Sequence, residues 1–444
     1  MENNNALSKQ FTTASLIKFA LPNIIMMVFF SFYTIVDGMF VSRLAGTLAL
    51  SGINMSYPLF SVQLAIGIMF GTGGSAVIAK KLGEGNENGA RQDFTCIVIV
   101  SIITGILFAA VCLPFLEDIL ILLGTSEAQM PQCIEYSKYL LYFSPAMFLQ
   151  TIFQVFFVTA GKPTLGLLVT VAGGIANMVL DYLLMAPLAF GVKGAAIATG
   201  VSYLIPAAAG MIYFSFYRKG SLFFVKFKAD GPMLFKTCSN GFSEMVTNVA
   251  NAVTTFLFNV IFMRFWMEDG VAAITMIMYF QFVFSAAFLG FSMGVAPVIS
   301  YKHGAGDHLQ LRHIVRSCIG FIGVVSIAIF FISKMVIGVS LAVFTDPAGN
   351  VFKIAVEGFP LFAISFIFLG INIFASSLFT AFSNGVISAI ISLARTFIFL
   401  VGALLILPDA MGEVGIWLAV PVAEFLGLAV SSFFIYHGRV NYGY

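Results

Sequence analysis

About twenty consecutive apolar residues cross a bilayer as a helix, and runs of that length recur throughout this 444-residue chain. They lie near 16–41, 49–79, 94–116, 136–160, 164–187, 194–217, 236–263, 271–301, 314–340, 355–382, 385–407 and 414–437, which predicts twelve membrane-spanning helices. The polar stretches between them are short. The longest, RKGSLFFVKFKADGPMLFK at 218–236, leaves no room for an inserted soluble catalytic domain.

Composition agrees with that pattern. Hydrophobic residues make up 60% of the chain and charged residues only 9%, with a mean hydropathy of +1.00, values a wetted soluble domain does not reach. A net charge of +2 gives no excess that points to nucleic acid. The five cysteines are scattered without a CxxC and read as small apolar fillers. The opening MENNNALSKQFTTASLIKFALP lacks a small-residue cleavage site and leads into a run too long for a signal-peptide core, so the first helix is expected to remain in the mature protein. Lys and Arg set the orientation. With both termini in the cytoplasm, fifteen basic residues fall on that side and six on the other, with Arg395 left inside the eleventh span.

The two halves resemble each other at a constant offset of 221 residues: GGSAVIAKKLGEGNENGAR (73–91) faces GVAPVISYKHGAGDHLQLR (294–312), and AFGVKGAAIA (189–198) faces AMGEVGIWLA (410–419). One register across separated segments indicates a duplication. Each copy holds six spans, an even number, so both insert the same way up, related by an axis along the membrane normal. The expected fold is an all-α integral membrane protein of twelve transmembrane helices in two pseudo-symmetric six-helix bundles. The N-terminal lobe takes 1–220 and the C-terminal lobe 221–444, around a cleft that rocking would open to alternate sides.

Ionisable groups inside such helices cost about 2.5–3.5 kcal/mol on insertion scales and are functional candidates. Asp37 in the first span and Asp181 in the fifth both fall in the last third of helices running the same way, so they can share one site. Asn177 precedes Asp181 by one turn, and Thr199 in the sixth span is polar in an apolar context. Two carboxylates, a carboxamide and a hydroxyl offer oxygen ligands to Na⁺, with Asp37 and Asp181 foremost; equally, the buried carboxyl pair could hold a proton. The alternative for Asp37 is a structural pairing with Arg43. In the second half Glu244, Arg395 and Glu424 form a candidate polar site; a structural Arg395–Glu424 pair and a snorkelling Glu244 are the competing readings. Pro22 is expected to break the first helix and to hinge the segment bearing Asp37. The 50 Phe and 20 Met permit a deformable apolar cleft wall.

Other signals are absent. There is no Walker A motif, and GTGGSA at 71–76 lies inside a span, where small residues allow close helix packing. His303, His308 and His313 form no metal pattern, and no nucleophile–base set stands out, so an enzyme is not expected.

TIVDGMFVSRLAG in the first span, KKLGEGN after the second, TAGKPTLG before the fifth and NMVLDYLL within it resemble the multidrug and toxic compound extrusion (MATE) family, in its bacterial branch. The resemblance covers essentially the whole chain. It implies a multi-pass protein of the cell membrane, monomeric and without a cofactor, that exports varied lipophilic and often cationic compounds in exchange for inward Na⁺ or H⁺. It implies further that Asp37, Asn177, Asp181 and Thr199 form the cation site of the N-terminal lobe. Glu244 matches an acidic position of some members whose second-lobe site also uses an acid in the tenth span. That span has none at its middle here, which favours the N-terminal lobe. A flippase for a lipid-linked or amphipathic metabolite is the alternative, although one would be expected to line its cleft with several basic residues. A channel or a membrane-embedded lipid enzyme would need an ion filter or a catalytic set that the helices lack.

Overall fold

With no water to bond to, backbone amides in apolar runs must be satisfied within their own helix. The computed structural model describes residues 6–444, the side chains at 47–51, 252, 343 and 344 excepted, and no strand occurs among them. The first half comprises α1 (Thr13–Leu44), α2 (Thr47–Gly83), α3 (Glu87–Cys112), a short α4 (Leu116–Leu122), α5 (Met130–Tyr142), α6 (Ser144–Thr159), α7 (Pro163–Met185) and α8 (Gly191–Phe216). The second comprises α9 (Gly231–Gly304), α10 (His308–Phe344), α11 (Asn350–Phe362), α12 (Ser365–Ala381) and α13 (Gly385–Leu393). It ends with a π-helical turn at Ala394–Phe399, α14 (Leu400–Met411) and α15 (Glu413–Tyr442).

Twelve spans emerge once three breaks are recognised. α5 and α6 form one span bent by 61°, and α11 and α12 form another bent by 58°. The 74 residues of α9 would reach roughly 110 Å as a straight helix. Instead the backbone leaves helical geometry at Met267 (φ 55°, ψ −142°), which divides α9 into the seventh and eighth spans. The duplication is visible in the backbone itself. Positive φ recurs at the same offset of 221: Gly46 (92°) with Met267 (55°), Gly85 (78°) with Gly306 (66°), and Gly191 (55°) with Gly412 (61°).

α1 differs from expectation at Pro22, where the helix runs unbroken from Thr13 to Leu44. Proline removes a single i→i−4 hydrogen bond, and the long flanking helical stretches hold their geometry across it. Nearby, Asn23 Nδ2 donates to the Gly290 carbonyl of α9 at 2.7 Å and ties the two lobes together.

At the end of the bundle where the chain terminates, the lobes meet backbone to backbone. A Cβ on Gly83 would fall on the Tyr301 carbonyl, and one on Gly304 on the Lys80 carbonyl, the same contact repeated by the pseudo-symmetry. Gly73 sits equally close to Thr237 and Gly241, and Gly290 to Asn23 and Ile24. These small residues close one end of the inter-lobe space. Asp37 and Asp181 lie toward the other.

Two straps cross this sealed end. The segment before α1 clasps the second half: Lys302 Nζ donates to the Ser8 carbonyl (3.1 Å), Gln310 Nε2 to the Phe11 carbonyl (2.7 Å), and Gln10 Nε2 to Asp307 Oδ2 (3.2 Å). Reciprocally, the segment before α9 clasps α3, where Arg91 Nε donates to the Ser221 carbonyl and the Val225 amide to Thr95 Oγ1, both at 3.1 Å. Partial burial works against the Asp307 carboxylate. Hydrogen bonds from Gln310, Gln10 and Lys302 outweigh it, so its pKa lies below the usual carboxylate value. A depressed carboxylate stabilises the fold above its unfolded pKa, and that stability is lost as pH falls through the folded value. The first strap is therefore expected to loosen at acidic pH, seen as faster hydrogen exchange over residues 6–12, and Asp307→Asn should remove the pH dependence.

Candidate functional site

α1, α7 and α8 assemble a polar pocket between their apolar faces. Their close approach depends on paired glycines: Gly174 lies against the Phe29 ring of α1, and Gly173 against the Ser202 carbonyl of α8. With the helices that near, Asn177 and Asp181, one turn apart on α7 and both fully buried, face Asp37 of α1 and Thr199 of α8. Asn177 Nδ2 makes a long hydrogen bond of 3.5 Å to Thr199 Oγ1. The Asp37 and Asp181 carboxyl groups are direct neighbours. All four residues singled out in the N-terminal lobe thus come together.

The polar accounting of this pocket is incomplete. Asp37 Oδ1, both carboxylate oxygens of Asp181 and Asn177 Oδ1 are buried without a protein donor. A buried, unpaired polar atom costs about 1–3 kcal/mol, and more when charged. Among the described residues no ion pair joins Asp37 to Arg43, so the structural alternative for Asp37 is not realised. Adjacent carboxylates repel, and one proton or one small cation relieves both the repulsion and the missing hydrogen bonds. No group of three or more His, Cys, Asp or Glu that could hold a metal ion occurs among the described residues. The oxygen-only set of two carboxyls, a carboxamide and a hydroxyl suits a hard cation or a proton.

Three tyrosines surround the carboxyl pair and were not singled out in the sequence. Tyr33, Tyr136 and Tyr203 all lie within electrostatic range of Asp37. Tyr33 precedes Asp37 by four residues and Tyr203 follows Thr199 by four, so helical spacing could have found both. Tyr136, packed edge-on against Phe60 at 6.1 Å, comes from α5 and had no local signal.

The second half is arranged differently. Arg395, carried by the π-helical turn, pairs with Glu424 of α15 at 3.3 Å, both side chains about nine-tenths buried. Asn372 of α12, which sequence reasoning missed, donates through Nδ2 to Glu424 Oε2 (2.7 Å) and to the Glu424 carbonyl (2.8 Å). Ser431 Oγ in turn donates to Asn372 Oδ1 at 2.9 Å. A lone carboxamide in FLGINIFASS was the available signal. Asn372→Leu strips Glu424 of two donors and is expected to cost about 1–3 kcal/mol, measurable as a lowered unfolding midpoint in detergent. Glu244 stands apart and partly exposed, lining a narrow inter-lobe cavity with Thr72, Ser292, Ser377 and Thr380. Arg395 acts on it electrostatically, but no ion pair joins the two among the described residues.

Comparison with known proteins bears on the whole arrangement. The family model described as MatE matches residues 22–183 and 245–405, one stretch in each lobe. The chain is 24% identical over 437 residues to the multidrug export protein MepA of Staphylococcus haemolyticus, covering 96% of this chain and 93% of that protein. It is 23% identical over 365 residues to the Staphylococcus aureus protein of the same name, covering 80% of each. A solved structure described as the outward-facing conformation of a multidrug resistance MATE family transporter superposes with a TM-score of 0.91. It shares 21% identity and covers 98% of this chain and 97% of that one.

Proposed function

Because the chain belongs to the MatE family, we propose that it is a secondary active multidrug exporter whose coupling cation binds between Asp37 and Asp181. The observation that carries this reading is the set of buried, donor-less oxygens on Asp37, Asp181 and Asn177, which no protein group neutralises. Thr199 adds a hydroxyl, and the neighbouring tyrosines wall the pocket with polarisable rings.

The closed end formed by Gly83, Gly304 and their neighbours corresponds to the cytoplasmic side in this reading, with both termini there. A cation entering from outside takes the Asp37–Asp181 seat and weakens the hold on a positively charged, lipophilic drug, which leaves outward. Reorientation then carries the cation to the cytoplasm. Pro22, whose lost hydrogen bond is the weakest point of α1, is the proposed hinge of that step. Holding a hundredfold drug gradient takes about 2.7 kcal/mol. One positive charge crossing the membrane supplies roughly 2.3 kcal/mol per 100 mV. For a neutral drug a single cation per cycle nearly suffices; for a singly charged drug the exchange is electroneutral and the concentration gradient of the cation supplies the drive.

The relatives named as multidrug export proteins support drugs as the cargo, and the apolar spans support a place in the cell membrane. The test is efflux of a fluorescent lipophilic cation from proteoliposomes under separately imposed Na⁺ and H⁺ gradients. One of the two gradients is expected to accelerate efflux at least tenfold over leak. Efflux indifferent to both would contradict the assignment.

A further inference from the structure

We propose that Arg395 is a tethered cation that permanently neutralises the buried acid Glu424 of the second lobe, leaving the molecule one exchangeable cation site. This rests on the reading of Asp37 and Asp181 as the exchangeable seat and specifies what the other lobe does.

The duplication makes the comparison direct. At the offset of 221 residues the seat positions Asp37, Asn177, Asp181 and Thr199 fall opposite Phe258, Ile398, Gly402 and Val420, none of them ionisable. Arg395 stands opposite Gly174 and Glu424 opposite Tyr203, beside the seat. Gly174 is the residue that brings α7 against α1, and Tyr203 is part of the wall around the carboxyl pair. The region that surrounds an unfilled oxygen cluster in the first half therefore carries a guanidinium and its own carboxylate in the second.

Valence counting separates the two. In the first-lobe pocket four buried oxygens, Asp37 Oδ1, Asn177 Oδ1 and both of Asp181, have no donor. In the second, Glu424 Oε1 receives Arg395 and Oε2 receives Asn372, while Asn372 Oδ1 receives Ser431. Neither Glu424 nor Asn372 has a buried oxygen left over among the described residues. Local structure makes room for the long side chain: the π-helical turn sets Arg395 facing α15, where a Cβ on Gly427 would meet Arg395 Cγ and Asn372 Nδ2, each at 3.1 Å. π-helical turns are rare and frequently occur at functional sites. The same guanidinium also attracts Glu244, another acid within that lobe's spans. Removing it leaves Glu424 and Glu244 without that counter-charge.

The experiment counts exchangeable cation sites on the purified full chain in two separate titrations, radioactive sodium bound at alkaline pH and, in sodium-free solution, protons taken up on returning to neutral pH beyond those its four histidines account for. Asp37→Asn with Asp181→Asn is expected to lose the wild-type site and retain none. Adding Arg395→Gln to that background should restore about one equivalent, carried by Glu424 or Glu244. Adding Arg395→Lys, which keeps the tethered charge, should restore none. A wild type with two sites and a double variant that keeps one would overturn the tether while leaving the first-lobe seat intact. So would a folded Arg395→Gln protein that gains nothing. Equal counts in wild type and double variant would sink the first-lobe assignment, and the tether with it. Should Arg395→Gln not fold, the double-variant count decides alone, because an exchanging second-lobe seat would still register there.

Discussion

Vesicles containing the Asp37→Asn, Asp181→Asn protein are expected to lose gradient-driven drug efflux, falling at least tenfold toward the leak of protein-free vesicles, while the protein remains folded. The carboxamides occupy the same volume as the carboxyls, so packing against α8 and the surrounding tyrosines is kept. Their NH₂ groups supply donors that the pocket lacks, so Asn177 Oδ1 and its neighbours gain partners and the fold is not destabilised. What disappears is the ability to take up positive charge. A tenfold loss corresponds to about 1.4 kcal/mol of coupling, small beside the attraction of a buried carboxylate pair for a cation. Each single variant keeps one carboxylate and should retain a fraction of the activity with a weakened cation dependence. Unaltered efflux in the double variant would remove the coupling role from these residues.

The second large effect concerns the sealed end. Gly83→Leu is expected to stop transport by preventing closure of that end, again with at least a tenfold fall in efflux. The added Cβ would land on the Tyr301 backbone carbonyl, and backbone cannot step aside as a flexible side chain can. Overpacking a tight contact costs about 1–3 kcal/mol, and each 1.4 kcal/mol shifts a two-state population about tenfold. The state with the lobes parted at that end makes no such contact and pays nothing. Gly304→Leu, the pseudo-symmetric partner against Lys80, should behave the same way. Spin labels across α2 and the end of α9 would read the separation directly. The expected result is a shift to longer distances in both variants; wild-type distances and wild-type efflux would show that the glycines are not a gate.

How much of this was legible in the sequence depends on how far each residue departs from its surroundings. Asp37 and Asp181 stand out because a carboxylate in an apolar run is expensive, and Asn177 follows from helical spacing. The twelve spans follow from hydrophobic run length. The repeat showed in Gly83 and Gly304, but their contact with the opposite backbone depends on how the lobes dock, which no local pattern encodes. Tyr33 and Tyr203 sit at helical spacing from Asp37 and Thr199, yet aromatics make up 15% of the chain and one more carries little information. Tyr136 and Asn372 reach their sites from distant helices. At Pro22 the chemistry suggested a break that does not occur, since one missing hydrogen bond does not bend a 32-residue helix unaided.

The central claim is that the Asp37–Asp181 pair gives up its cation as drug arrives. The most direct measurement adds a lipophilic cation to the purified protein in weakly buffered detergent solution and follows proton release and sodium release together. The account predicts about one cation released per drug bound by the wild type, and none by the Asp37→Asn, Asp181→Asn protein although it still binds drug. Equal release from both proteins would contradict it.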